Sequence, residues 1–156
     1  MDEANVETAG GLFAKQDFLR ILTEEVADAA HHQRPYAVVA VALRHFDGED
    51  ISDVMRIAAA CVRDRVRDID VAGHVDDDTI AIGLHSGDCT SAAILAQRLQ
   101  GDLRLRLFHL RSTLWEMGQA CLPNDGSTAR DLLDAAIDNA KTRRRRLAAQ
   151  ALAAKP

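Results

Sequence analysis

The chain has 156 residues, room for one domain and one core but not for two ordinary domains. With 47% hydrophobic and 28% charged residues it has a globular composition, which excludes a disordered chain. A net charge of −5 and an aromatic content of 4% argue against a general nucleic-acid binder, which needs basic surface and stacking rings.

The acidic start, MDEANVETAGG, lacks the basic and apolar regions of a secretory leader. No apolar run approaches the ~18 residues that span a bilayer. A cytoplasmic location is therefore expected. Residues 1–10 read as a flexible lead-in, with Gly10-Gly11 as a breaker. From Gln16 to His32, Phe18, Leu19, Leu22, Val26 and Ala29 or Ala30 recur at helical spacing. Pro35 ends that helix. Tyr36–Leu43 is apolar and β-branched throughout, the pattern of a central strand covered on both faces.

A polar connector, His45–Asp50, leads to a second helix over Ile51–Val66. Strands over Asp70–His74 and Thr79–Leu84 flank Asp76-Asp77-Asp78, a hairpin with an acidic tip. The triplet has two readings. Adjacent strand residues face opposite ways, which does not make a metal site; a solvated tip that docks on a basic partner needs nothing more. A third helix is expected over Thr90–Leu99, then antiparallel strands over Leu103–Leu110 and Thr113–Leu122. Pro123-Asn124-Asp125-Gly126 is a turn, and Ser127 or Thr128 caps a last helix from Ala129 to Ala153. The expected fold class is α/β, an α+β sandwich of palm-like, ferredoxin-related type, with a mixed β-sheet flanked by helices.

Cys61, Cys89 and Cys121 are odd in number and far apart, fitting neither a disulfide framework nor a zinc knuckle. Cys61 and Cys121 read as small core residues. No metal site and no cofactor are expected. Lys141-Thr-Arg143-Arg144-Arg145-Arg146 carries five positive charges. It reads either as an electrostatic footprint for an acidic surface or as a solvated helix end where cations meet the negative dipole pole. The stripe Leu147, Ala148, Ala151 and Leu152 could extend the helix into a partner or a homodimer.

The element order and several local patterns resemble the GGDEF family, the diguanylate cyclases that make cyclic di-GMP from two GTP molecules. Gly11-Leu12 followed by Phe18 matches the family's opening G-L-x-N-R-x-x-F, and Arg34-Pro35 precedes the first strand as is typical. Met55-Arg56 through Arg67-Asp68-Ile69-Asp70 to Asp76-Asp77-Asp78-Thr79-Ile80 aligns without gaps, the last five residues occupying the signature hairpin. Glu116-Met117-Gly118-Gln119-Ala120 resembles the S-I-G-x-A strand, and Leu132-Leu133 with Ala140-Lys141 resembles the last helix. The likeness covers residues 11–146, leaving 147–156 as a tail.

The resemblance implies a catalytic site that this chain does not complete. Active relatives hold two metal ions with an aspartate at the end of the first strand and an acidic residue of the hairpin. Here Ala42-Leu43-Arg44 stands where the family has D-x-D. Magnesium needs hard oxygen ligands; Ala42 offers none, and Arg44 brings a competing cation. Asp78 could ligate, but beside Arg44 an ion pair is the simpler outcome. Asp76 and Asp77 replace two glycines that let the backbone approach nucleotide, and their charge opposes a triphosphate. Thr79 replaces a charged residue that assists the attacking hydroxyl. The connector after Phe46 is shorter than the family's guanine-recognising loop, and Lys141 aligns with a phosphate-contacting lysine. The expectation is a degenerate domain with no enzymatic activity.

One family feature is intact. Product inhibits active cyclases at an R-x-x-D motif before the hairpin. Arg67-Asp68-Ile69-Asp70 carries it, and Arg98 aligns with a second arginine of that site. Guanidinium groups fork onto phosphate oxygens, and a carboxylate accepts the N1–H and N2 donors of guanine. The resemblance thus implies a cyclic di-GMP receptor built on Arg67, Asp70 and Arg98. The alternative is a nucleotide-independent interaction or scaffold domain, with R-x-x-D an ordinary helix-end charge pair.

Overall fold

The computed structural model describes residues 12–45, 51–107 and 113–153. The strand β1 spans Tyr36–His45, and residues Tyr36 to Leu43 are all buried. Because side chains alternate across a strand, β1 feeds two cores. Ala37, Val39, Val41 and Leu43 face one layer, and Tyr36, Val38, Ala40 and Ala42 face the other.

The first layer holds α2 (Ile51–Arg65) and α3 (Cys89–Leu107). Val54, Ala58, Cys61 and Val62 of α2 and Leu95, Leu99, Leu103 and Leu107 of α3 are buried there. The second holds α1 (Lys15–His31) and α4 (Ala129–Ala153). Phe18, Leu22, Val26 and Ala29 form the buried stripe of α1 against Leu132, Ala136 and Ala140 of α4. Each large apolar side chain so buried contributes ~1.5–3 kcal/mol. Thr128 Oγ1 accepts the Asp131 N–H at 3.1 Å and caps α4, as the sequence led us to expect.

The remaining strands are β2 (Val71–Asp76), β3 (Thr79–His85) and β4 (Thr113–Cys121). The sheet order is β2-β3-β1-β4, the ferredoxin-related order, with β1 inside. All three strand pairings are antiparallel, so the sheet is not mixed. β1 and β2 run the same way after the α2 crossover, but β3 lies between them. The isolated parallel bridge described is Phe13 to Gly73 on the β2 edge.

Three further expectations are corrected. Residues 103–107 are helix, not strand. Leu103-Arg-Leu-Arg-Leu107 alternates like a strand, yet Leu95, Leu99, Leu103 and Leu107 are also four apart. The helix prevails because those four leucines bury together while Leu105 stays 75% exposed. Ion pairs Arg65–Asp102 and Arg106–Asp64 fasten α3 to α2. Residues 108–110 of the expected strand, the connector 46–50 and Gly11 lie outside the described residues. Second, Asp76 belongs to β2 and pairs with Thr79, so the turn itself is Asp77-Asp78. Third, Cys89 and Cys121, 32 positions apart, are joined by a disulfide. Cys121 is a core residue as expected but not a free one, whereas Cys61 is buried and free. The side chains of 143–153, including the run of four arginines, lie outside the described ones.

Candidate functional site

Two regions carry the residues singled out from the sequence, at opposite ends of β2. The strand has six residues, which separates its ends by roughly 17 Å.

At the first end, β1 meets the hairpin. Ala42 pairs with Thr79 on one side and Glu116 on the other, and its methyl group is fully buried toward α1 and α4. Arg44 is exposed two residues on. The Leu43 N–H donates to the Asp78 carbonyl at 2.7 Å, which ties the turn to β1. Asp78 is half-buried, and its carboxylate accepts the Thr79 hydroxyl at 2.8 Å. That bond satisfies a threonine with no exposed surface. Asp76 and Asp77 point to solvent. A shallow cavity of about 680 Å³ beside the turn is lined by Lys15, His74, Asp76, Asp77, Asp78 and Lys141. Lys15 and His74 were not legible as site residues, since no local pattern marks them. Two lysines and three aspartates line it together, so the cavity presents mixed charge. Among the described residues, the one cluster of three metal-capable side chains is elsewhere, at Cys89, Cys121 and Asp125.

At the other end, the turn between α2 and β2 faces α3 across a groove of about 360 Å³. Arg67, Asp70 and Arg98, distant in sequence, all line it. Leu84, Ile94 and Leu95 supply an apolar wall, and Arg65, Arg67 and Arg98 the charge. Arg67 and Arg98 are exposed, whereas the Asp70 side chain is only 2% exposed. Its carboxylate accepts four N–H donors. Oδ2 takes the Arg67 backbone N–H at 3.0 Å and its Nε at 3.3 Å. Oδ1 takes Arg67 Nη2 at 3.2 Å and the His85 N–H at 3.2 Å. Arg67 Nη2 also donates to the His85 carbonyl at 3.0 Å. Asp70 is therefore the staple of the α2–β2 turn onto the end of β3, with its acceptor capacity filled. A guanine edge would therefore have to take the place of some of these donors to reach the carboxylate. Arg98 has no ion-pair partner among the described residues.

Arg65, which sequence reading did not single out, forks onto Asp102 at 2.6 and 2.9 Å. The hydrogen bonds to Asp102 raise the Arg65 pKa and, reciprocally, hold the Asp102 carboxyl below its ordinary range. At the base of the groove, Asp88 Oδ1 caps α3 by accepting the Ser91 N–H at 2.8 Å and its hydroxyl at 3.0 Å. These bonds push the Asp88 pKa down.

The family model described as diguanylate cyclase, GGDEF domain, matches residues 4–147. The chain belongs to the GGDEF family. Solved GGDEF structures share the fold at low identity. The isolated GGDEF domain of PA1120 (TpbB or YfiN) from Pseudomonas aeruginosa superposes with a TM-score of 0.76 at 21% identity, over 90% of this chain and 88% of that one. The FimX GGDEF domain from the same organism gives 0.75 at 18%, over 88% and 92%. The GGDEF domain of DgcB from Caulobacter crescentus, solved in complex with c-di-GMP, gives 0.73 at 15%, over 92% and 89%. No curated protein matches the sequence. No described helix is long and apolar enough to cross a membrane. In this fold the hairpin Asp76–Thr79 and the Arg67–Asp70 turn lie at opposite ends of β2.

Proposed function

We propose that this GGDEF domain binds cyclic di-GMP in the groove between the α2–β2 turn and α3, and does not synthesise it. The observation that carries the reading is the convergence of Arg67, Asp70 and Arg98 on one groove. Two exposed guanidinium groups flank an apolar wall, a combination that suits a dinucleotide with two phosphates and two flat bases. Asp70 acts there by aiming Arg67; Arg67 and Arg98 make the contacts. DgcB, a structural neighbour, was solved with c-di-GMP. Lack of synthesis follows from the other end of β2. Phosphoryl transfer needs charge neutralisation beside the phosphates. Ala42 gives no ligand, Arg44 adds a cation, and the Asp78 carboxylate is engaged by Thr79.

A second reading, a nucleotide-independent interaction domain, is favoured by the filled acceptors of Asp70. Its surfaces would be the acidic turn at Asp76–Asp78 and the basic segment Lys141–Arg146, offered to a protein partner or a second copy. Another neighbour, the cyclase SiaD, was solved with its activator SiaC.

Calorimetric titration with cyclic di-GMP separates the two. We expect saturable heat with the native chain and a loss of about tenfold or more in affinity for Arg98→Ala. No heat at high micromolar ligand leaves the interaction domain. Incubation with GTP and magnesium or manganese should yield no cyclic dinucleotide; any product would overturn the account of Ala42 and Arg44.

A further inference from the structure

Beside the groove, where α3 begins, Cys89, Cys121 and Asp125 bring two sulfurs and a carboxylate oxygen within 4.8 Å of one another. We infer that these three residues form a binding site for zinc, of which the disulfide is the closed, metal-free state.

Two of the ligands share one turn. Asp125 Oδ2 accepts the Cys121 N–H at 2.8 Å, and the Asp125 N–H donates to the Cys121 carbonyl at 2.9 Å. The carboxylate is thereby tied to the Cys121 backbone, with one of its oxygens within 4.8 Å of both sulfurs. Cys89 arrives from the first residue of α3. Its place does not depend on the covalent bond alone. Gln119 Nε2 of β4 donates to the Cys89 carbonyl at 3.1 Å, and Trp115 Nε1 of β4 donates to Gln100 of α3 at 3.0 Å. α3 and β4 thus stay in contact when the sulfurs part.

The donor set suits zinc. Two thiolates and a carboxylate are ligands it favours, at about 2.3 Å for sulfur and 2.0–2.2 Å for oxygen, with water as the fourth. Two sulfurs on one tetrahedral ion lie about 3.8 Å apart. The Cα atoms are 5.6 Å apart, so side-chain rotation accommodates that opening. Cys89 and Asp125 are exposed and give the ion a path to buried Cys121. Three potential anions this close repel one another. A sulfur–sulfur bond removes that repulsion, and so does a divalent cation.

The chemistry balances. A dithiol reductant gives two electrons and two protons to the S–S bond and becomes its own cyclic disulfide, leaving two protein thiols. Zinc then takes both sulfurs as thiolates and releases two protons. Zinc and disulfide are mutually exclusive states of the same atoms.

The test uses the full chain reduced with a phosphine, which adds no competing thiol, then freed of reductant without oxygen. Zinc is titrated against a chromophoric chelator. We expect about one zinc per reduced chain and none per oxidised chain. Cys89→Ser and Asp125→Asn should each weaken binding by about tenfold or more, while Cys61→Ala binds like the native chain. Cobalt(II) should give a thiolate charge-transfer band in the native chain that Cys89→Ser lacks. Both Cys89 and Asp125 are exposed, so these variants fold, as circular dichroism would verify. Failure of the reduced chain to take zinc, or equal binding by Cys89→Ser, would overturn the proposal whatever the outcome with cyclic di-GMP.

Discussion

Asp70 and Arg67 form one unit with unequal members. The carboxylate is buried and accepts four N–H groups; the guanidinium is mostly in water. Asp70→Ala strands the His85 and Arg67 backbone donors and should cost about 2–3 kcal/mol in urea unfolding. Arg98→Ala removes an exposed side chain and should cost under about 0.5 kcal/mol. Arg98 is therefore the cleaner probe of ligand binding, since Asp70→Ala alters the fold and the groove together. The motif R-x-x-D was legible in the sequence, but the filled state of its aspartate was not. Two of the four donors come from backbone N–H groups, and one of those lies 15 residues away.

Asp102 carries a pH signature. Its pKa is lowered in the folded protein, first by the hydrogen bonds from Arg65. In the unfolded chain it titrates near the ordinary value of about 3.9. As pH falls below about 4 the unfolded chain takes up the proton first, so the stability this pair adds is present above that pH and lost below it. Arg65 is exposed and Asp102 half-buried, so solvent screening keeps the effect modest. Urea midpoints at pH 7 and pH 3 should differ more for the native chain than for Asp102→Asn.

Among the elements, α3 is the one whose type the sequence left ambiguous. The segment Leu103-Arg-Leu-Arg-Leu107 satisfies a period of two and a period of four together, and local pattern cannot choose. The two outcomes predict different mutants. In a strand, Leu103, Leu105 and Leu107 share a face and cost alike. In the helix, Leu103→Ala should cost about 2–4 kcal/mol and Leu105→Ala under about 0.5 kcal/mol, read by thermal or urea unfolding. Equal losses would return the segment to a strand. β4 and α4 show the opposite case, where packing is tightest at a residue with no side chain. A Cβ on Gly118 would collide with the Ala136 carbonyl and the Ala140 N–H of α4. Helix backbone cannot yield as a flexible side chain does, so Gly118→Ala should destabilise by about 1–3 kcal/mol in the same assay.

For the whole molecule, the important distance is the length of β2. The hairpin and the groove occupy its two ends, and no side chain is common to both linings. Substitutions that distant usually add independently. The double variant Asp76→Gly, Asp77→Gly should thus leave cyclic di-GMP affinity in the groove within about twofold, measured by calorimetry. A larger change would mean the sheet couples its ends.

The element order, the buried character of β1, the helical faces of α1 and α2 and the capped start of α4 follow from apolar period, proline and turn chemistry, all of which act within a few residues. Ala42 and Arg44 at the end of β1 were legible too, but only the resemblance to the GGDEF family gave them a meaning. The pairing of β1 with its neighbours, the end of α3, the Cys89–Cys121 bond and the meeting of Arg67 with Arg98 depend on segments from about 30 to more than 80 residues apart, which no local pattern records. Only the packing of α3 across α2 and against β4 brings those segments within reach of one another, and so decides which of the chain's charges and sulfurs act together.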